Sequence, residues 1–188
     1  MKIYLLLAHP NKETLNGHLA DAYEEAARQK GHEVRRQNIG EMRFDPILWK
    51  GYKEVQALEP DLQTAWENIQ WCEHWVIVYP VWWGSLPALF KGFLDRVMLP
   101  GKAFKYHDNG PFWDKLLKGR SAQLITTSDA PAWWLWLMYR NSDINTMRHA
   151  VLKFCGFSSV KAMRFSGIRM MKEAQKQGLA KRVARKVP

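Results

Sequence analysis

The stretch Trp75-Val76-Ile77-Val78-Tyr79 is apolar at every position, so as a strand it has no face to give to water. Such a strand needs a sheet covered on both sides, and the rest of the chain reads as the material for it. Residues 2–8 form a second short strand-like run, ending at His9-Pro10. Leu15, Leu19, Ala22, Tyr23, Ala26 and Ala27 then recur at helical spacing, with Gly31 as the stop. A more polar strand is expected at 32–38, an irregular aromatic segment at 39–60 and a helix at 61–71. Pro87 opens a helix whose apolar face is Leu89, Phe90, Phe93, Leu94 and Val97, closed by Pro100-Gly101. After a loop through Asn109-Gly110-Pro111 come a fourth strand at 122–126, a helix at 146–154, a fifth strand at 159–165 and a basic helix at 171–187.

Five strands alternating with helices predict an α/β protein of three layers, a single domain over 1–188 built on a parallel sheet. Right-handed crossovers leave few topologies, and five strands at this length suit the order 2-1-3-4-5 with helices on both faces. In such sheets ligands bind beyond the carboxyl ends of the strands, where the strand order reverses. The site is therefore expected in the loops at 9–16, 80–87 and 126–140.

Composition narrows the classes. The hydrophobic fraction of 47% and charged fraction of 24% exclude a disordered chain. A net charge of +10 favours anionic partners. Cys72 and Cys155 are too few for a disulfide framework and sit among apolar residues, which marks them as reduced core thiols. The six histidines have no metal-ligand spacing, so no metal site is expected. No stretch reaches the roughly 18–20 apolar residues of a membrane span, and the N-terminal run is too short for a signal peptide. A cytoplasmic protein is the expectation.

The three loops carry unusual residues. His9, Lys12, Thr14 and Asn16 surround the start of the first helix, whose free amides suit a phosphate. Taken alone, Thr14 as an N-cap after a turn accounts for that loop. No two of the twelve glycines are two or five positions apart, which removes both standard glycine-rich nucleotide loops. In Pro80-Val81-Trp82-Trp83-Gly84, two tryptophans leave a buried strand. They suit stacking on a planar cofactor, and equally a hydrophobic lid or a subunit contact. Thr126-Thr127-Ser128-Asp129 is small and polar, and the aromatic run from Trp133 follows, able to wall a pocket or enter an interface.

The block from Pro80 through Trp82-Trp83-Gly84-Ser85-Leu86-Pro87 to Asp95-Arg96 resembles the signature of the flavodoxin-like NAD(P)H:quinone reductases. That family includes the ancillary flavoproteins of potassium efflux. The likeness extends to Ala8-His9-Pro10, Leu15-Asn16, Pro100-Gly101-Lys102-Ala103-Phe104, Asn109-Gly110-Pro111, Thr126-Thr127 and Phe154-Cys155-Gly156-Phe157, covering nearly the whole chain in order. It implies a flavodoxin-like fold, a bound FMN or FAD, and ping-pong two-electron transfer from NAD(P)H to a quinone or similar acceptor. It places the flavin phosphate at His9, Thr14, Leu15 and Asn16. The ring falls along Pro80, Val81, Trp82, Trp83 and Gly84, with Thr126, Thr127, Ser128 and Asp129 on its other side. It further implies a homodimer in which Phe104 and Tyr106 cap the partner's substrate pocket.

The chain departs from that pattern in two places. Where the family has Thr-Thr-Gly-Gly, Ser128-Asp129 sets an acid beside the ring, opposing the charge of reduced flavin. The Tyr and His that some members use to stabilise reduced flavin have no clear match; Trp134, Tyr139 and Arg140 occupy that neighbourhood as the candidate catalytic residues. The family's long C-terminal extension is missing, which leans the cofactor toward FMN. Asp95 and Arg96 read as a structural ion pair behind the site. A regulatory subunit of a membrane transporter, docking through Lys172, Lys176, Lys181, Arg182, Arg185 and Lys186, is the alternative function. Nucleic-acid binding is not expected, because the basic residues are spread along the chain and no recognition motif occurs.

Overall fold

The computed structural model describes every residue, Met1–Pro188. Its elements are β1 (Lys2–Leu7), α1 (Leu15–Gln29), β2 (Glu33–Asn38), α2 (Pro60–Trp71), β3 (His74–Pro80), α3 (Ala88–Val97), β4 (Phe104–Tyr106), β5 (Trp113–Lys115), β6 (Ser121–Ser128), α4 (Ala132–Tyr139), α5 (Ser142–Asn145), β7 (Ser159–Ser166) and α6 (Glu173–Ala184). After α5 the chain winds on as a π-helical stretch, Thr146–Lys153. The main sheet is parallel throughout, in the order β2-β1-β3-β6-β7. Numbered among its own five strands, this is the expected 2-1-3-4-5.

Strand periodicity sorts the core into two layers. Tyr4, Leu6, Trp75, Ile77 and Tyr79 face the layer of α2, α3 and the π-helical stretch. Ile3, Leu5, Leu7, Val76 and Val78 face α1 and α6. Both central strands are buried at every one of these positions, which is why neither shows alternation. Leu6 is fully buried, and its truncation to Ala would cost about 2–5 kcal/mol. Burial also pushes the Cys72 and Cys155 thiols up to about 12, so both are unreactive core residues.

Two segments differ from the expectation. Residues read as a loop fold into an antiparallel hairpin, β4 with β5, where Tyr106 pairs with Trp113. It is only three residues per strand, too short to show a period. The aromatic run beyond Pro131 is the helix α4, not a loop. Ala132–Tyr139 is apolar on every side, so it carries no amphipathic signal.

Asp95 and Arg96 do not pair with one another. Asp95 bonds Lys91 one turn back at 2.8 Å. The fully buried Arg96 pairs with Glu59 at 2.8 Å and donates to the carbonyls of Asp45 and Ala57. A neighbouring residue in sequence points to another side of a helix, whereas Arg96 finds its acid in the irregular segment. It thereby clamps that segment onto α3, where Gly92 leaves room for Pro46.

Candidate active site

β1, β3 and β6 end side by side, and β1 and β3 send their chains to opposite faces of the sheet. Their three following loops enclose a cavity of about 380 Å3. Its walls include Thr14, Leu15, Asn16, Pro80, Val81, Trp82, Trp83, Gly84, Thr127, Ser128, Asp129, Trp134 and Tyr139 from the sequence candidates. Ala130, Leu135 and Ile168 complete it.

The first wall is a helix N-terminus. Thr14 is extended and its hydroxyl accepts the Gly17 amide at 3.4 Å, capping α1. The amides of Leu15 and Asn16 precede the first intrahelical bond and carry the helix's partial positive charge. Gly17 is obligatory, because a Cβ there would lie 1.8 Å from the Lys12 carbonyl oxygen. Asn16 is buried, and its Oδ1 accepts the Thr127 hydroxyl at 3.0 Å, which ties the first loop to the end of β6. Lys12 turns outward to Glu41 at 2.6 Å. His9 lies edge-on to Trp82, centroids 5.6 Å apart, and burial lowers its pKa from the ordinary value. The Asn11 amide donates to its Nδ1 at 2.9 Å.

The second wall is a tight turn. Trp82 and Ser85 exchange both backbone hydrogen bonds, at 3.1 and 2.9 Å, around Trp83 and Gly84. Both central residues have positive φ, 50° for Trp83 and 71° for Gly84, the arrangement of a mirror-image hairpin turn. Glycine adopts it freely; a tryptophan does so only where its surroundings enforce it. The result throws the Trp83 side chain fully into solvent, at 101% exposure. An aromatic plate at the mouth of the cavity thus stands without a partner.

The third wall is the end of β6 and α4. Asp129 is exposed, and the Ser128 hydroxyl donates to the Ala130 carbonyl at 2.9 Å. Behind this wall lies a buried ion pair. Arg164 of β7 donates to Asp143 and, at 2.5 Å, to Asn141 Oδ1, with Thr126 Oγ1 at 3.5 Å. Arg140 and Asn141 are consecutive left-handed residues, φ 52° each, forming a sharp corner. Ser142 then donates to the Gly84 carbonyl at 2.5 Å, joining the second and third walls. The Tyr79 hydroxyl, buried near Asp143, has its pKa raised well above the ordinary range, first by burial and then by that carboxylate.

Several sequence candidates lie outside the cavity. Thr126 is buried in β6 beneath it, and His9 stands behind Trp82. Arg140 is exposed at the corner and is not part of the walls; the largely covered guanidinium of this region is that of Arg164. Phe104 and Tyr106 border a separate groove of about 310 Å3 beside α3. Sequence reading missed Arg164, Asp143 and Ser142, which have no motif, and Ile168, which reaches the cavity from the turn after β7.

A family profile described as a flavodoxin-like fold matches residues 1–187. The chain is 27% identical to an uncharacterised NAD(P)H oxidoreductase of Haemophilus influenzae, over 99% of this chain and 94% of that one. It is 28% identical to NAD(P)H dehydrogenase [quinone] 1 of Cavia porcellus, over 87% of this chain and 68% of that one. A crystal structure from Streptococcus mutans UA159 superposes with a TM-score of 0.84 at 28% identity, covering 98% of this chain and 97% of that one. An FMN-dependent NADH-azoreductase from Bacillus anthracis, in complex with FMN, does so at 0.71 and 20% identity, covering 98% and 97%. The regulatory alternative finds no support among these relatives.

Proposed function

The chain belongs to the flavodoxin-like fold family, and from that premise we propose that it is a flavin-dependent NAD(P)H oxidoreductase reducing quinones or similar acceptors. One observation carries this reading: a capped helix N-terminus and the Trp82-Trp83-Gly84 turn face one cavity of small-molecule size. The donor set fits a flavin phosphate at one end and a flat ring at the other.

A flavin held here would supply the two-electron transfer between NAD(P)H and the acceptor, in a ping-pong cycle. The chain supplies binding and orientation. The Leu15 and Asn16 amides would hold the phosphate, with Thr14 and the Asn16–Thr127 bond keeping them in place. The turn at Val81, Trp82, Trp83 and Gly84 would line the ring, and Thr127, Ser128 and Asp129 would border it opposite. Trp134 and Tyr139 wall the space left for nicotinamide and acceptor in turn. Arg140 serves only through the corner it forms.

FMN is favoured over FAD. The hollow beyond the α1 N-terminus, lined by Lys12, Glu13, His18, Asp21, Arg36 and Asn38, has no hydrophobic residue in its walls to pack on an adenine. The Bacillus anthracis neighbour, likewise, is an FMN protein. A homodimer is part of the proposal, because Phe104 and the exposed Tyr106 stand apart from their own chain's cavity and suit a partner's.

The test is initial-rate kinetics of the FMN-loaded protein with NADPH and a benzoquinone both varied. Parallel double-reciprocal lines are expected. No flavin-dependent NAD(P)H oxidation would overturn the assignment, and intersecting lines would overturn the ping-pong order.

A further inference from the structure

Three residues other than glycine have a left-handed backbone in this chain, Trp83, Arg140 and Asn141, and all three meet at one joint of the cavity. Such residues persist only where their surroundings hold them. At the corner the holders are plain. The Arg140 carbonyl accepts the Asn145 side-chain amide at 2.6 Å, and the Asn141 amide donates to the Leu135 carbonyl at 3.0 Å. The Arg164 guanidinium fixes the Asn141 side chain while it pairs with Asp143.

The turn lacks such an anchor of its own. Trp83 is 101% exposed, so its side chain does nothing to hold its φ of 50°. A tryptophan at the first central position of a mirror-image hairpin turn works against it, where asparagine, aspartate or glycine would favour it. Besides the Trp82–Ser85 pair, residues 82–85 make one hydrogen bond, from the Ser142 hydroxyl to the Gly84 carbonyl. Ser142 follows Asn141 directly, so this bond carries the rigidity of the corner to the turn. Tyr139, just ahead of the corner, rests its ring on Gly84 from the same side.

We infer that Ser142 is a positioning residue of the site: its hydroxyl holds Gly84, and through Gly84 keeps Trp83 in the left-handed conformation that sets its ring at the cavity mouth. Arg164, Asp143 and Asn141 act one step further back, by fixing the backbone from which Ser142 reaches. A ring that enters the cavity then meets a plate already in place, and no part of its binding energy goes into ordering the turn. That the ring is a flavin rests on the oxidoreductase reading; the hold on the turn does not.

The experiment has two arms, both on the full chain. In the flavin-free protein, amide hydrogen exchange followed by NMR reads the Ser85 N–H, which donates to the Trp82 carbonyl at 2.9 Å. Ser142→Ala should speed that exchange roughly fivefold, the worth of one net hydrogen bond, and Ser142→Thr, which keeps the hydroxyl, should leave it near the wild-type value. Calorimetric titration with FMN is the second arm. Ser142→Ala should weaken binding roughly fivefold in the wild-type background. In a Trp83→Ala background the same change should cost little further affinity, because the ring it positions is gone. The inference is overturned if Ser142→Ala leaves the Ser85 exchange unchanged, or if the exchange quickens while FMN affinity stays the same. It is also overturned if the loss of affinity is equal with and without Trp83, since Ser142 would then act on the fold at large. A wild type that binds no flavin would reject the oxidoreductase reading instead, and the exchange arm then decides the hold on the turn by itself.

Discussion

The ring of Tyr139 rests on Gly84: a Cβ at that glycine would meet Tyr139 Cγ at 2.9 Å, Cδ1 at 3.0 Å and Cδ2 at 3.1 Å. Gly84 also has φ +71°, so two independent constraints exclude a side chain. Gly84→Ala should cost on the order of 1–2 kcal/mol for the backbone alone and push Tyr139 off the turn. A lower melting temperature and at least roughly tenfold weaker flavin binding are expected. Wild-type affinity in this variant would remove the turn from the cofactor site.

Trp83 gives the opposite pattern. Its side chain touches nothing that its removal would expose, being 101% exposed. Trp83→Ala should leave thermal stability unchanged or slightly raised, while lost stacking weakens flavin binding roughly tenfold. Calorimetric titration with FMN, beside a melting curve, separates the two effects.

The Arg164–Asp143 pair should behave as a buried unit. Arg164→Met leaves the Asp143 carboxylate uncompensated and should cost about 3–5 kcal/mol. Arg164→Met combined with Asp143→Leu should recover much of that loss. Denaturant melts of the single and double variants test the coupling; additive losses would show that the two side chains act separately.

Asp129 bears on the chemistry and not on folding, since it is exposed on the cavity wall. Asp129→Gly should speed flavin reduction by NADPH roughly threefold or more, as a negative charge is removed from beside the site. Stopped-flow bleaching measures this. An unchanged rate would mean that the carboxylate points away from the ring.

His74 predicts a pH dependence of stability. Burial, then the charges of Lys161 and His32, lowers its pKa to about 4. In the unfolded chain it would titrate near the usual value of about 6.5. The unfolded state therefore binds the extra proton first, so stability falls as pH drops from about 6.5 toward 4 and this contribution is level above 6.5. The loss is on the order of 3 kcal/mol at most. His74→Gln should flatten the slope between pH 4.5 and 6.5; an equally steep slope would assign it to other groups.

The fold was legible because its central strands are apolar without interruption and its loops carry proline and glycine. Val76 and Val78 against Trp75, Ile77 and Tyr79 require two layers, and crossover handedness supplies the order. The walls built from contiguous segments, Thr14–Asn16 and Pro80–Gly84, could be read for the same reason. Arg164 could not: it lies 21 residues from Asp143 and 38 from Thr126, and only the β6–β7 register brings them together. Nor could α4, whose uniform apolarity carries no helical period. Arg140 was drawn to the site by its neighbours in sequence, while the left-handed corner at 140–141 directs it outward.

The central claim is that the Thr14–Asn16 helix start and the Trp82–Gly84 turn hold a flavin that works. The most direct measurement is the visible absorption spectrum of the protein with FMN and with FAD, before and after NADPH and then a quinone. Bound FMN bands that bleach with NADPH and return with the quinone are the predicted result. A protein that takes up neither flavin, or whose bound flavin NADPH cannot bleach, would contradict it.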